Sequence, residues 1–171
     1  MIEFYHYNIF HLHVYVDNLI RSNKMYTEPR KLFKRISGEV LFQWTPKEGA
    51  TDTVLEAAVK SGCDLQKVEV QGLHFHMVEI DGVDFNHSNW NQSSLKSSRF
   101  TNCNFVNSSF NGADLRYVVF QDCNLIDCDL SKPSSIEGVQ LVNCQLGNNG
   151  MTAEQLDEHI YVPMVWPTTI E

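Results

Sequence analysis

Every fifth residue from Leu65 to Leu130 is large and apolar, and no other feature limits so tightly what this chain can fold into. The run is Leu65, Val70, Phe75, Ile80, Phe85, Trp90, Leu95, Phe100, Phe105, Phe110, Leu115, Phe120, Leu125 and Leu130. Two residues before each lies a second column of small or medium-sized, mostly uncharged side chains, among them Cys63, Ser88, Ser98, Cys103, Ser108, Ala113, Cys123 and Cys128. Between the two columns the residue is polar, Val119 excepted. On extended backbone the large residue and the small one two before it share a face, and the residue between them points away. Five is odd, so an uninterrupted strand would turn each successive large residue to the opposite side. The chain must therefore turn once per repeat. Four corners close a coil, and successive coils stack at about the 4.8 Å strand spacing with the large residues in the centre.

Past Leu130 the register slips once. Ile136 follows after six residues, with Pro133 supplying the extra one, and Leu141 and Leu146 then resume the period with Val139 and Cys144 two before them. Pro133 is expected at a bulged corner, where its missing N–H breaks no ladder bond. The coils extend over roughly 20 Å of axis.

Gly112-Ala113-Asp114-Leu115-Arg116 and Cys123-Asn124-Leu125 resemble the A-(D/N)-L-x-x unit of pentapeptide-repeat proteins, with Ser and Cys often standing for the family's Ala. The resemblance covers about half of the chain. It implies an all-β solenoid: a right-handed quadrilateral β-helix of a little over four coils across residues 63–147. In that register Cys63, Val83, Cys103, Cys123 and Cys144 stack in one interior column. The five cysteines include no C-x-x-C pair, which disfavours a disulfide framework or a zinc ribbon, and a buried free thiol packs as a small apolar group.

Thr51 to Gly62 carries a capping residue, apolar positions at helical spacing and a terminal Gly, which predicts a helix over residues 51–62 that covers the open end of the core. The stretch Ser37 to Phe42, then this helix and Cys63-Asp64-Leu65, resembles the lead-in of pentapeptide-repeat proteins of phage and prophage. Further upstream Phe10, Leu12, Val14 and Val16 alternate as in a half-buried strand. Arg30 to Ser37 is expected to form a short basic helix after Pro29, ended by Gly38, so residues 1–50 read as a small α+β appendage. Thr152-Ala153-Glu154-Gln155 is a capping box that opens a helix to about His159 within the C-terminal segment 148–171. It resembles the T-x-E-Q-L helix that closes many members of the family, a region that in some relatives joins two subunits end to end, so a homodimer through a terminal segment is an expectation.

Charge and motifs narrow the function. Residues 1–50 hold seven Lys/Arg against five Asp/Glu, and residues 51–171 hold six against sixteen. An acidic body argues against direct binding to a nucleic-acid backbone, which needs clustered cations, and suits a protein partner with a basic groove. No apolar run approaches a membrane span and no signal-peptide layout opens the sequence, so a soluble, cytoplasmic protein is expected. His11 and His13, and His74 and His76, lack neighbouring ligands that would make them metal sites, and no phosphate loop, nucleophile elbow or H-E-x-x-H is present. No cofactor and no catalytic residue is expected.

Two readings of a non-enzymatic binding protein stay open. In the first, acidic coils occupy a basic, nucleic-acid-binding surface of another protein; the resemblance implies this, because some members are acidic rods that mimic duplex DNA and protect or inhibit DNA gyrase. Asp64, Glu69, Asp84 and Asp129 are the expected negative surface. Against it stand a length covering only about six base pairs and an outward basic streak of His76, Lys96 and Arg116. In the second, the coil is a protein-interaction scaffold that uses the outward apolar residues Val106, Ile126, Tyr117 and Val119.

Overall fold

The computed structural model describes residues 29–47 and 50–161. The alternating Phe10 to Val16 run and the His11/His13 pair lie outside them. Parallel pairs recur at twenty-residue spacing at four register positions. One is a ladder of β4 (Glu79–Asp81), β5 (Arg99–Thr101), β6 (Val119–Gln121) and β7 (Gln140–Val142), joined at its end by β8 (Ile160–Tyr161). The others are single bridges linking Asp84, Asn104, Asn124 and Gln145; Glu69, Asn89, Ser109 and Asp129; and His74, Ser94, Asp114 and Ser135.

The register is the one that the period demands. All fourteen large residues from Leu65 to Leu130 are at most 3% exposed. Rings one coil apart stack: Phe85 on Phe105 (centroids 5.2 Å, 18°), Trp90 on Phe110 (5.9 Å, 11°) and Phe100 on Phe120 (5.6 Å, 16°). Rings at neighbouring corners meet edge to face, as Phe85 and Trp90 do at 5.0 Å and 84°. Both arrangements put the positive edge or offset of one ring against the negative face of another.

The small column has its own chemistry. Ser98 Oγ donates to the Phe75 carbonyl at 2.8 Å and accepts from Val78 N–H at 3.1 Å; Ser108 does the same with Phe85 and Ser88. Cys103, Cys123 and Cys128 aim their thiols at the matching carbonyls of Ile80, Phe100 and Phe105. Each of these buried hydroxyls and thiols thus meets an acceptor, and this slot explains why Ser and Cys replace Ala.

Two residues after every large side chain but Leu130 and Leu146 the backbone turns left-handed, at Lys67, Met77, His87, Gln92, Ser97, Asn102, Asn107, Tyr117, Asp122, Asp127 and Asn143 among the non-glycine residues. That conformation in the third place of a four-residue turn is the type II pattern, closed for instance by Ser93 N–H on the Trp90 carbonyl at 3.1 Å. Each such residue costs about 1–2 kcal/mol, which core burial must offset. The slip falls where the spacing placed it. Asp114 pairs with Ser135 and Phe120 with Leu141, so the offset grows by one across Pro133, while Gly112 N–H reaches the Lys132 carbonyl and Ser134 N–H the Ala113 carbonyl.

Helix α1 (Val54–Lys60) opens on a capping box: Thr53 Oγ1 accepts from Glu56 N–H at 3.2 Å and the Glu56 carboxylate accepts from Thr53 N–H at 2.7 Å. Its Val54, Leu55 and Ala58 are buried and join the core. Helix α2 (Ala153–His159) opens on the reciprocal pair of Thr152 and Gln155.

The expected basic helix over Arg30 to Ser37 is not formed. Arg30–Lys34 is strand β1, antiparallel both to β2 (Val40–Trp44) and to β3 (Val68–Glu69). Leu32 is fully buried, and Arg30 lies 5.8 Å over the Trp44 ring. A strand satisfies its N–H and C=O groups on two remote segments here, which outweighs a local helical preference worth a few tenths of a kcal/mol per residue, about 0.5.

Candidate interaction surface

The outward side chains carry whatever this coil recognises, and most are engaged in holding its corners. Asp64 Oδ1 accepts from Gln66 N–H at 3.1 Å, Asp84 Oδ1 from Asn86 N–H at 3.0 Å and Asp129 Oδ1 from Ser131 N–H at 3.1 Å. Asn89, Asn124 and Asp114 repeat the pattern, so the Asp/Asn preference between the two inward columns comes from a side-chain acceptor satisfying the turn that follows.

The four carboxylates are not gathered into one cluster. Asp64 is exposed and Asp84 half-buried, and they occupy the same register position in adjacent coils. Glu69 and Asp129 share a column with Asn89 and Ser109 between them, a separation of about 14 Å at the strand spacing. Glu69 is half-buried and tied down, accepting from Gln71 N–H and from Asn89 Nδ2, both at 3.0 Å. Among the described residues ion pairs engage only Asp52, with Lys60, and Asp114, with Arg116, each at 2.6 Å. The charges of Asp64, Glu69, Asp84 and Asp129 are therefore offset by no cation of the described residues within bonding distance.

The basic streak is weaker than its sequence spacing suggests. Both Arg116 nitrogens facing Asp114 donate to its carboxylate, at 2.9 and 2.6 Å. This pairing holds the Asp114 carboxyl below its ordinary range. His76 shares a hydrogen bond with Ser94 Oγ at 2.8 Å.

The outward apolar residues divide between two corners. Val106 and Ile126 are half-buried, and Ile126 packs so closely on Gly147 that a Cβ there would lie 3.1 Å from Cγ1 and Cγ2. Val119 is half-buried in β6, between Arg99 and Gln140. Tyr117 is 48% exposed, and its hydroxyl donates to the Glu137 carboxylate. Met77, 75% exposed on the same corner as Tyr117 two coils away, is an outward residue that the sequence reading missed. The available signal was a large apolar side chain at a corner position that elsewhere, Tyr117 excepted, holds Gly, Asn, Asp, Ser, Lys, His or Gln.

Among the described residues no group of three or more His, Cys, Asp or Glu side chains is placed to hold a metal ion, and no helix is long and apolar enough to cross a membrane. A family model for pentapeptide repeats matches residues 79–116 and 93–131, with eight copies. No curated protein matches the chain.

Proposed function

Residues 79–131 belong to the pentapeptide-repeat family, and from that premise we propose that this chain is a non-enzymatic binding protein whose acidic outward faces occupy a basic, nucleic-acid-binding surface of another protein. In this reading the coils form a closed right-handed quadrilateral β-helix, and the protein acts in the cytoplasm as a DNA mimic or inhibitor of a DNA-acting or defence enzyme. One observation carries it: Asp64, Glu69, Asp84 and Asp129 are held in place by N–H donors, yet among the described residues no ion pair neutralises them. Charges ordered without a counter-ion of their own are suited to steer and orient a cationic partner.

The test is affinity for a partner captured from bacterial lysate, measured at low and high salt. Wild type is compared with a variant carrying Asp64→Asn, Glu69→Gln, Asp84→Asn and Asp129→Asn. The amide oxygen can still accept the same N–H, so the corners persist while four charges go. Weaker binding and a shallower salt dependence are expected. Binding insensitive to both would overturn the mimicry reading.

A scaffold reading is favoured by a different observation, the exposure of Met77 and Tyr117 on one corner. Loss of partner binding in a Met77→Ser/Tyr117→Ser variant, with the carboxylate variant unaffected, would establish it.

A further inference from the structure

Charge is distributed unequally along the stack. Residues 30–35 hold Arg30, Lys31, Lys34 and Arg35 with no carboxylate among them, whereas residues 118–161 hold seven Asp/Glu against Lys132 alone. Strand pairing sets where the basic stretch lies. Glu69 pairs with Asn89 of the next coil on one side and with Phe33 of β1 on the other, so β1 and β2 extend the stack past its first coil.

The turn from β1 to β2 closes through Lys34 N–H on the Glu39 carbonyl (2.8 Å) and Gly38 N–H on the Lys34 carbonyl (3.0 Å). Arg35 N–H binds the Lys67 carbonyl at 2.7 Å, and Arg35 Nη1 donates to the His87 carbonyl at 3.3 Å. Three exposed cations, Lys34, Arg35 and Lys67, thus meet at this tip, with exposed Lys31 further back on β1 and Glu39 as the carboxylate of the turn. Among the described residues ion pairs engage only Lys60 and Arg116 of the cations, so none of these four is neutralised in that way. The same turn carries Ile36, which at 87% is more exposed than any other large apolar side chain of the described residues. Val40, 45% exposed, lies opposite Phe33 at the start of β2.

We propose that this tip docks on an anionic lipid bilayer, with Ile36 and Val40 entering the interfacial region and Lys31, Lys34, Arg35 and Lys67 at the level of the phosphates. Charge and apolar exposure together select that partner. Cations alone would suit a nucleic-acid phosphate backbone equally well, but that backbone offers no apolar environment for Ile36. A bilayer favours both groups, the cations through its negative surface potential and the apolar side chains through burial. So small an apolar tip holds only with the help of its cations, which makes the binding peripheral and salt-dependent. The like-charged surface keeps the acidic end of the stack directed away from it, whatever the acidic coils recognise.

Co-sedimentation of the full chain with lipid vesicles tests this. Wild type is expected to bind phosphatidylcholine vesicles containing roughly 30% phosphatidylglycerol at least about 10-fold more tightly than pure phosphatidylcholine vesicles. Raising salt from about 0.05 M to about 0.5 M should release it. A Lys31→Gln/Lys34→Gln/Lys67→Gln variant should lose the preference, and Ile36→Ser should weaken binding about 10-fold at unchanged charge. All four positions are exposed, so thermal melts of the variants should coincide with wild type. Equal binding to both kinds of vesicle, or binding indifferent to Ile36→Ser, overturns the proposal. So does tighter binding to duplex DNA than to the anionic vesicles, which would assign the cations to nucleic acid. Self-association that Ile36→Ser abolishes would overturn it as well, and would assign the tip to a second copy of the chain.

Discussion

The ring of Tyr117 packs directly on Gly138, the corner residue one coil further on, and a Cβ at Gly138 would lie 2.5 Å from Tyr117 Cδ1 and 2.8 Å from Cε1. Gly138 also turns left-handed, at φ +65°. Both facts forbid a side chain, for separate reasons. Gly138→Ala is therefore expected to destabilise by about 2–4 kcal/mol, the sum of overpacking and backbone strain. In a Tyr117→Ser background the clash is relieved and only the strain, about 1–2 kcal/mol, remains. Denaturant melts of the four proteins of this cycle measure the difference; equal penalties in both backgrounds would contradict the contact.

At the centre of the stack Phe105 touches Phe85, Trp90, Phe100, Phe110 and Phe120. Phe105→Ala should cost about 3–5 kcal/mol, and Phe105→Asp should prevent folding at room temperature, since it buries an unpaired charge. Asn107→Asp, two residues away at an exposed corner, should change stability by less than about 0.5 kcal/mol. Thermal melts that fail to separate the core and corner variants would mean that the register is wrong.

The cysteines give a chemical and a pH test. All five were expected to point inward; Cys103, Cys123 and Cys128 are buried, whereas Cys63 and Cys144, at the two ends of their column, are half-exposed. A thiol reagent should modify no more than these last two rapidly in the native protein. Burial pushes the Cys128 thiol up from 9.0 to about 12. Its proton is thus held more tightly in the folded chain, so its contribution to stability is complete below pH 9 and is lost as pH rises towards about 12. Cys128→Ala should flatten that alkaline loss in stability measured by denaturant titration, and an unchanged slope would refute the assignment.

Much of this architecture was legible because burial leaves the repeat one solution. The capping pattern of Thr152 with Gln155 announced the second helix start, Pro133 announced the slip, and the first helix was expected over 51–62, whereas the Thr53–Glu56 box starts it at Val54. The failure at Arg30–Lys34 has the opposite cause. That strand's partners are Val40–Trp44 across a bulged register and Val68–Glu69 more than thirty residues on, so no window around it contains the bonds that decide its conformation. The candidate surface was legible in composition only. Spacing placed Asp64 and Asp84 in one column, yet it could not show that Asp114 neutralises Arg116 or that Asn89 restrains Glu69.

Taken alone, the sequence determined that Phe85, Phe105 and Leu125 share a column and that the chain turns after each of them, because an odd period of large apolar residues can be buried together only if the backbone bends once per repeat. Tertiary structure decided which outward groups are free to act. Whether Tyr117 covers Gly138 or solvent, and whether Asn89 restrains Glu69, depend on contacts between segments about twenty residues apart. Those contacts arise from the stacking of coils, and stacking brings together side chains that no local pattern relates.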